Sequence, residues 1–380
     1  NLPAGVAGSI ISMADYAATW QTNNVTVTPN GSEKIGGVAE DAFLNTEGQS
    51  VTFVYVDSTQ GWVNTMDSTS NVRGNPPFIV ATVSGACNTL GTAPDCANTK
   101  IATFLGPGTF CVSAASPCAP NNLVSYMVVA GGGGSGTSGA GGGGAGGFRE
   151  LVSPTAPYTA SPLDGYPNAP NRITISATPY AITVGGGGAG LPRPTPIPGA
   201  GGARGSDSIF SSITSTGGGG SPSQTEAITG TAPGGSGAGL GKGASGPAGI
   251  GDTPSVSPAQ GFPGGISGPY VAGGGGGATA VGLQGAPSGP SAGGAGATSS
   301  INGTPTARAG GGGGGSDQPA TGGGAGGTGG GGQGGNRPDT NSTNGGCNTG
   351  GGAGGQGEQA ACGVQRNGGS GVVIIRYKFQ

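Results

Sequence analysis

The stretch Val128-Val129-Ala130-Gly131-Gly132-Gly133-Gly134, followed shortly by Gly141-Gly142-Gly143-Gly144-Ala145-Gly146-Gly147, sets what this chain can fold into. A short apolar strand runs without a turn into pure glycine. Low-complexity glycine ordinarily means a flexible coil. Collagen is a second option, but it needs Gly at every third position; residues 310–315 are unbroken Gly and residues 191–198 contain none. A third option is a bundle of polyglycine helices of the polyproline-II type. Such a helix has three residues per turn and no internal hydrogen bonds, so its N–H and C=O groups can bond to neighbouring helices wherever no Cβ blocks the approach. Inner faces must then be Gly, while outer faces can carry Ala, Ser or Thr. Ordering Gly costs entropy, and the punctuation of the sequence argues that the chain meets that cost. Glycine runs recur at residues 131–147, 185–190, 199–205, 217–220, 234–249, 273–277, 293–296, 310–315, 322–335 and 345–355, with segments rich in Pro, Ser and Thr between them. A linker has no need of that rhythm. A layered sandwich does, with one pass per run and one loop per interval.

Working outward, only 12 of the 93 glycines precede Met127, so the composition breaks near Val129. Before it, residues 50–56 (Ser-Val-Thr-Phe-Val-Tyr-Val) alternate their faces as a strand does. Val25-Thr26-Val27-Thr28 stops at the turn signal Pro29-Asn30-Gly31. Residues 78–83, 100–104, 109–113 and 123–129 are further strand candidates, and residues 12–20 have a weak helical period. The closing Val372-Val373-Ile374-Ile375-Arg376-Tyr377-Lys378-Phe379 puts Arg376 and Lys378 on one face and Val373, Ile375, Tyr377 and Phe379 on the other. It is expected to pair with the 123–129 strand and clasp the base of the glycine-rich region. The fold class is all-β and irregular: short N-terminal β-strand repeats, then a polyglycine-II sandwich. The expected divisions are a β-repeat segment at 1–83, a cysteine-containing connector at 84–127 and the sandwich at 128–380. So few large apolar residues in the first segment struggle to build a private core. They are better served by a core shared among copies, with Trp62 at the centre of a trimer.

The six cysteines fall into local pairs, Cys87/Cys96, Cys111/Cys118 and Cys347/Cys362. Disulfides are the favoured reading and imply an oxidising, extracellular setting, although six Cys permit 15 pairings. Free thiols are the alternative. Zinc is the weakest, since no Cys-x-x-Cys spacing and no His exist to build a site. The chain opens Asn1-Leu2-Pro3 and is read as a fragment, a processed product or the end of a longer chain. A formal charge of −3 leaves no basic footprint for nucleic acid, and no apolar run reaches the ~18 residues of a membrane span.

Catalytic motifs are scarce. Without His no Ser-His-Asp site exists. Glu40-Asp41, the only adjacent carboxylates, read as a solvated turn. Gly239-Leu240-Gly241-Lys242-Gly243 only brushes a phosphate loop, since Gly243 stands where Ser or Thr is required. No enzyme, cofactor or metal is expected. The binding candidates are aromatics in Pro-containing segments: Tyr158 and Tyr166 in one, Phe262 and Tyr270 in another. Exposed aromatic faces suit sugar rings and apolar patches; the competing role is to cap the ends of glycine layers that offer no side chains to pack. Arg193 sits in the stiff loop Leu191-Pro192-Arg193-Pro194-Thr195-Pro196-Ile197-Pro198.

Several segments resemble one family. The order Ile101-Ala102-Thr103-Phe104, Gly108-Thr109-Phe110, then Val128 into Gly131–Gly134, is similar to the entry of the C-terminal glycine-rich domain of phage tail-fibre proteins. The unit Ser206-Asp207-Ser208-Ile209-Phe210-Ser211-Ser212-Ile213 leading into Gly217, and the exit Gly371 to Tyr377, are similar to its internal and closing strands. Gly31-Ser32-Glu33-Lys34-Ile35-Gly36-Gly37 and Tyr55-Val56-Asp57-Ser58-Thr59-Gln60-Gly61-Trp62 resemble the small β-repeats of marine and cyanobacterial phage fibres. The resemblance, which extends to the receptor-binding tip adhesins of T-even-type phages, implies a virion or extracellular protein. There a rigid polyglycine-II scaffold binds a bacterial surface glycan or outer-membrane protein through its loops, and the chain pairs with itself as a homotrimer. This chain differs in its length, its cysteines and its sparse loop aromatics. A self-assembling extracellular filament without a host receptor is the alternative, and a fibre-borne glycan hydrolase is disfavoured by the few carboxylates.

Overall fold

The computed structural model of the 380-residue chain describes residues 1–67, 78–192, 200–224, 232–287, 289–318, 322–359 and 364–380. The chain forms two compact units, Asn1–Asn75 and Pro76–Gln380.

The first unit carries β1 (Ile10–Ala14), β2 (Val25–Val27), β3 (Ala42–Leu44), β4 (Ser50–Asp57) and β5 (Gly61–Asp67). β4 is the middle of an antiparallel three-stranded sheet between β1 and β5, and β2 pairs with β3. The alternation read in β4 is real: Val51, Phe53 and Tyr55 point inward onto Leu2, Val27, Leu44 and Trp62. Gly61 turns the chain from β4 into β5 at φ +69°, with the Lys34 carbonyl where a Cβ would sit. Two expectations fail here. No helix forms at residues 12–20: Ser12 and Met13 pair with Thr52 and Val51 in β1, and residues 15–20 turn around Asp15, whose carboxylate accepts from the Thr19 and Trp20 amides. Trp62 is not a residue of a core shared between copies. It is fully buried within this one chain, its Nε1–H donates to Glu33 Oε2 at 3.2 Å, and Tyr55 meets its ring edge-on at 5.5 Å.

The second unit contains β6 (Val80–Ser84), β7 (Thr89–Ala93), β8 (Cys96–Phe104), β9 (Gly108–Ala114), β10 (Ser125–Val129), β11 (Phe148–Leu151), β12 (Pro179–Thr183), β13 (Ser208–Phe210), β14 (Ile213–Ser215), β15 (Ala297–Ser299), β16 (Thr306–Arg308) and β17 (Val372–Lys378). They form two five-stranded sheets, in the orders β11-β10-β17-β8-β7 and β14-β13-β12-β9-β6, and a β15–β16 hairpin. β10 and the closing strand do pair, antiparallel, with Met127 opposite Ile374 and Val128 opposite Val373. Tyr126, Val128, Val373, Ile375 and Tyr377 pack with Phe110, Ile182 and Phe210 of the other sheet. Met127, Val129, Val372 and Ile374 point the opposite way, onto Ala145, Phe148 and Ala297. Burial on both faces is why these strands read as continuous apolar runs. Residues 84–127 therefore contribute strands to both sheets rather than standing as a separate connector.

Beyond the sheets the glycine runs pack as polyglycine-II helices. In the run 131–135, Gly131 and Gly134 donate N–H to Ser206 and Ala203, Gly132 and Ser135 donate to Gly369 and Arg366, and Gly133 donates to Gly144. Residues three apart thus serve the same neighbour, as a threefold helix requires. Its carbonyls accept from Gly218 and Ser221, from Gly188 and Leu191, and from Ala353, so one pass is bonded to six others. The return pass 141–147 is likewise bonded to six, among them 273–276, 350–353 and 236–239. A Cβ on Gly133, Gly142 or Gly312 would fall within 3.0 Å of a neighbouring carbonyl, so these inner positions require Gly. The rule is not absolute: Ala145 and Ala353 are fully buried, and the Ala145 methyl joins the apolar cluster beneath β10 and β17.

The disulfide expectation is corrected. Cys87, Cys96, Cys111, Cys118 and Cys347 are free thiols. Register explains the first pair: Ala93 faces Cys96 and Thr89 faces Thr103. Cys87, two residues before Thr89, is therefore at the far end of the ladder, at least four strand steps or about 13 Å away, against a disulfide limit of about 7 Å between Cα atoms. Cys111 points off the exposed face of β9 and Cys118 precedes a short 3₁₀ turn, exposed as well. Cys362, and with it the Cys347/Cys362 pairing, lies outside the described residues.

Candidate functional site

After β11 the chain leaves the sheet through residues 152–178, which return to β12. This segment has little apolar content of its own and is fastened by hydrogen bonds. Tyr126 Oη donates to the Asn171 carbonyl at 2.7 Å, and Asn171 Nδ2 donates to the Ser257 carbonyl at 2.8 Å. Asp164 Oδ1 accepts from the backbone N–H of Val152 and of Tyr166, each at 3.0 Å. The Val124 amide donates to Ile173 and the Ile175 amide to Asn122. Burial raises the Tyr126 hydroxyl well above its usual pKa, so it stays a donor.

Glu150 is the buried anchor beneath. Its carboxylate is 2% exposed and accepts from Tyr158 Oη at 2.9 Å, the Ser161 amide at 3.0 Å, Ser161 Oγ, and Ser299 Oγ at 2.5 Å. Burial pushes its pKa up, against the pull of those donors. Arg376 is equally buried, bonded to both oxygens of Asp95 at 2.9 and 3.0 Å, and its guanidinium lies 5.5 Å from the Tyr158 ring centre.

On this frame the segment helps to form two clefts. One, of about 310 Å³, is lined by Pro120, Leu123, Pro154, Thr155, Tyr166 and Arg172. The other, of about 420 Å³, is lined by Arg149, Asn168, Pro170, Asn171, Val256 and Ser257. Tyr166 is 39% exposed. Neither its hydroxyl nor the exposed Arg172 guanidinium has a partner among the described residues. Arg149 gives Nη2 to Asn171 Oδ1 at 2.7 Å, the guanidinium's one hydrogen-bond partner among the described residues. The arrangement can present an aromatic face beside a cation.

The sequence candidates are scattered. Tyr158 is half-buried and committed to Glu150, an anchoring role rather than an exposed one. Tyr166 lines the first cleft. Phe262 is half-buried on a polyglycine pass, its amide donating to Gly277. Tyr270 is 48% exposed but sits at the opposite end of the passes: its carbonyl accepts from Asp317, and the adjoining Gly315 bonds to Ala140, in the turn between the first two passes. Arg193 lies outside the described residues. Glu40 and Asp41 are exposed. The amides of Leu240, Lys242 and Gly243 are taken by Gly265, Gly139 and Gly268, so that glycine stretch has no free cradle for a phosphate. Arg149 and Arg172 were missed by sequence reading. The signal available was the Gly-poor stretch from Asp164 to Arg172, dense in Pro and Asn and containing Tyr166.

Residues 106–378, from the turn before β9 to the end of β17, match the glycine-rich domain family (Gly_rich_2). The chain belongs to that family. The glycine-rich domain so defined covers nearly all of the second unit and none of the first. No curated protein matches the chain significantly. Among the described residues no helix is long and apolar enough to cross a membrane.

Proposed function

We propose that this glycine-rich domain protein is a structural and adhesive component of a phage tail fibre, not an enzyme. It binds a bacterial surface glycan or outer-membrane protein through loops held on a rigid scaffold, acts in the virion or outside the cell, and works as a homotrimer or fibre. The observation that carries the reading is the cleft at Tyr166 and Arg172: an exposed aromatic and a free cation on a segment that buried hydrogen bonds hold in place. Preorganisation of that kind lowers the entropy lost on binding, and several weak sites on an oligomer multiply through effective concentration. The family resemblance of the strands that bracket the glycine runs supports the phage setting. The free cysteines withdraw the disulfide argument for an oxidising compartment, so the location rests on that resemblance.

The test is binding of the fluorescently labelled chain to a panel of bacterial cells, with Tyr166→Ala as control. Selective binding that falls about tenfold in the variant supports the adhesin; no binding to any strain by the folded protein overturns it. A second reading, a self-assembling filament, draws on the exposed Val6, Ile10, Tyr16, Phe43 and Met66 of the first unit, because exposed apolar surface favours contact between copies. Concentration-dependent polymerisation in sedimentation would favour it.

A further inference from the structure

The twin clefts hold more chemical information than their openness to solvent. Arg172 lines one cleft and Arg149 the other, and neither forms an ion pair among the described residues. The nearby carboxylates are committed to the backbone instead. Asp164 Oδ1 accepts from Val152 and Tyr166. Asp252 accepts from the amides of Val256 and Gln260, each at 3.1 Å, and from Ser255 Oγ at 2.8 Å. Asp164 and Asp252 keep their charge while they hold the loops, and the two guanidinium groups, with no ion pair among the described residues, can meet an anion from outside. The first cleft adds the Tyr166 face, the rings of Pro120 and Pro154, and the Thr155 and Thr174 side chains. That is a surface for a ring with one apolar face and a rim of hydroxyls.

We infer that the ligand of these clefts is an acidic glycan, with a sugar ring on Tyr166, its carboxylate on Arg172, and a further acidic residue of the chain reaching Arg149. The inference rests on the adhesive reading above and supplies its ligand chemistry. Guanidinium and carboxylate match in a planar, bidentate way that an ammonium cannot reproduce. An extended peptide would instead look for unpaired backbone groups to add to as a strand. The amides bordering the first cleft are already taken: Leu123 bonds to Pro120, Val124 to Ile173 and Ile175 to Asn122.

The experiment is calorimetric titration of the full chain with a trisaccharide of galacturonic acid, the matching neutral trisaccharide of galactose, and inorganic phosphate. The expected result is that the acidic trisaccharide binds at least about tenfold more tightly than the neutral one, and that phosphate alone does not saturate. That preference shrinks as salt rises from about 0.05 to about 0.5 M, since exposed charge pairs are screened. Arg172→Gln brings the acidic sugar down to the neutral affinity, Arg149→Gln weakens it less, and Tyr166→Ala weakens both sugars. Circular dichroism and thermal unfolding establish that the variants are folded, and the salt series on the unaltered chain needs no variant. Equal binding of the two sugars, competition by phosphate alone, or indifference to Arg172→Gln overturns the inference. Cell binding that survives both Arg172→Gln and Tyr166→Ala overturns it too, while leaving the adhesin intact. Sugar binding as expected with no cell binding supports the inference and removes the adhesin.

Discussion

Gly133 and Gly186 have the same chemistry in the sequence and opposite positions in the bundle. A Cβ on Gly133 would lie within 3.0 Å of the Gly219 carbonyl and of Gly220, whereas one on Gly186 meets nothing within 4 Å. In the pass that holds Gly186, the exposed positions are 186 and 189, three apart, and the second is already Ala. Backbone cannot yield as a flexible side chain does, so Gly133→Ala is expected to destabilise the second unit by about 1–3 kcal/mol or more. Gly186 is not in the left-handed region, so Gly186→Ala should instead stabilise by about 0.4–1 kcal/mol by narrowing the unfolded ensemble. Chemical unfolding of the two variants decides between a packed bundle and a loose coil. In a coil neither position has neighbours, and the two substitutions would behave alike.

β11, the 152–178 segment and the β15–β16 hairpin meet at Glu150, and their joint has a pH sign. Burial holds the Glu150 pKa above the ordinary 4.5, outweighing the donors Ser161, Ser299 and Tyr158, with Arg308 as a nearby cation. A carboxyl whose folded pKa is raised contributes most when protonated, so its share of stability is present at low pH and lost as pH rises through the folded value. The melting temperature of the unaltered chain is therefore expected to fall, relative to Glu150→Gln, as pH climbs from about 4.5 towards 7. Parallel melting curves at every pH would remove the argument. This joint was illegible in the sequence, where Glu150 is one acid among loops. Elements governed by local pattern were legible: β4 from its alternation, β10 and β17 from continuous apolar runs, the polyglycine passes from their punctuation. What depended on partners distant in sequence was not. Ser12 and Met13 joined a strand because Thr52 and Val51 lie opposite. Arg172 lines a cleft only because Pro120 and Leu123, from before β10, wall it too.

At the scale of the whole molecule the two units solve the problem of a small apolar supply differently. The second replaces much of its side-chain core with backbone hydrogen bonds between glycine passes and keeps its fully buried aromatics for the sheets. The first has no such device, which is why a core shared between copies was the natural expectation. Yet Trp62, Phe53, Val51 and Leu44 close a core within one chain, and the Glu33 carboxylate satisfies the indole N–H that burial would otherwise orphan. Any trimer must then form through other surfaces, with the unit already folded. Residues 1–75 expressed alone are expected to unfold cooperatively, followed by tryptophan fluorescence, at a temperature that does not change with protein concentration. Trp62→Ala should cost about 3–5 kcal/mol in that fragment and leave the polyglycine unit of the full chain folded. A core shared among copies demands the reverse, since folding linked to association makes the melting temperature climb with concentration. Oligomer formation by the folded fragment at a fixed melting temperature would place the copy-to-copy contact on exposed residues such as Ile10, Phe43 and Met66, where single polar substitutions should abolish it without unfolding the unit.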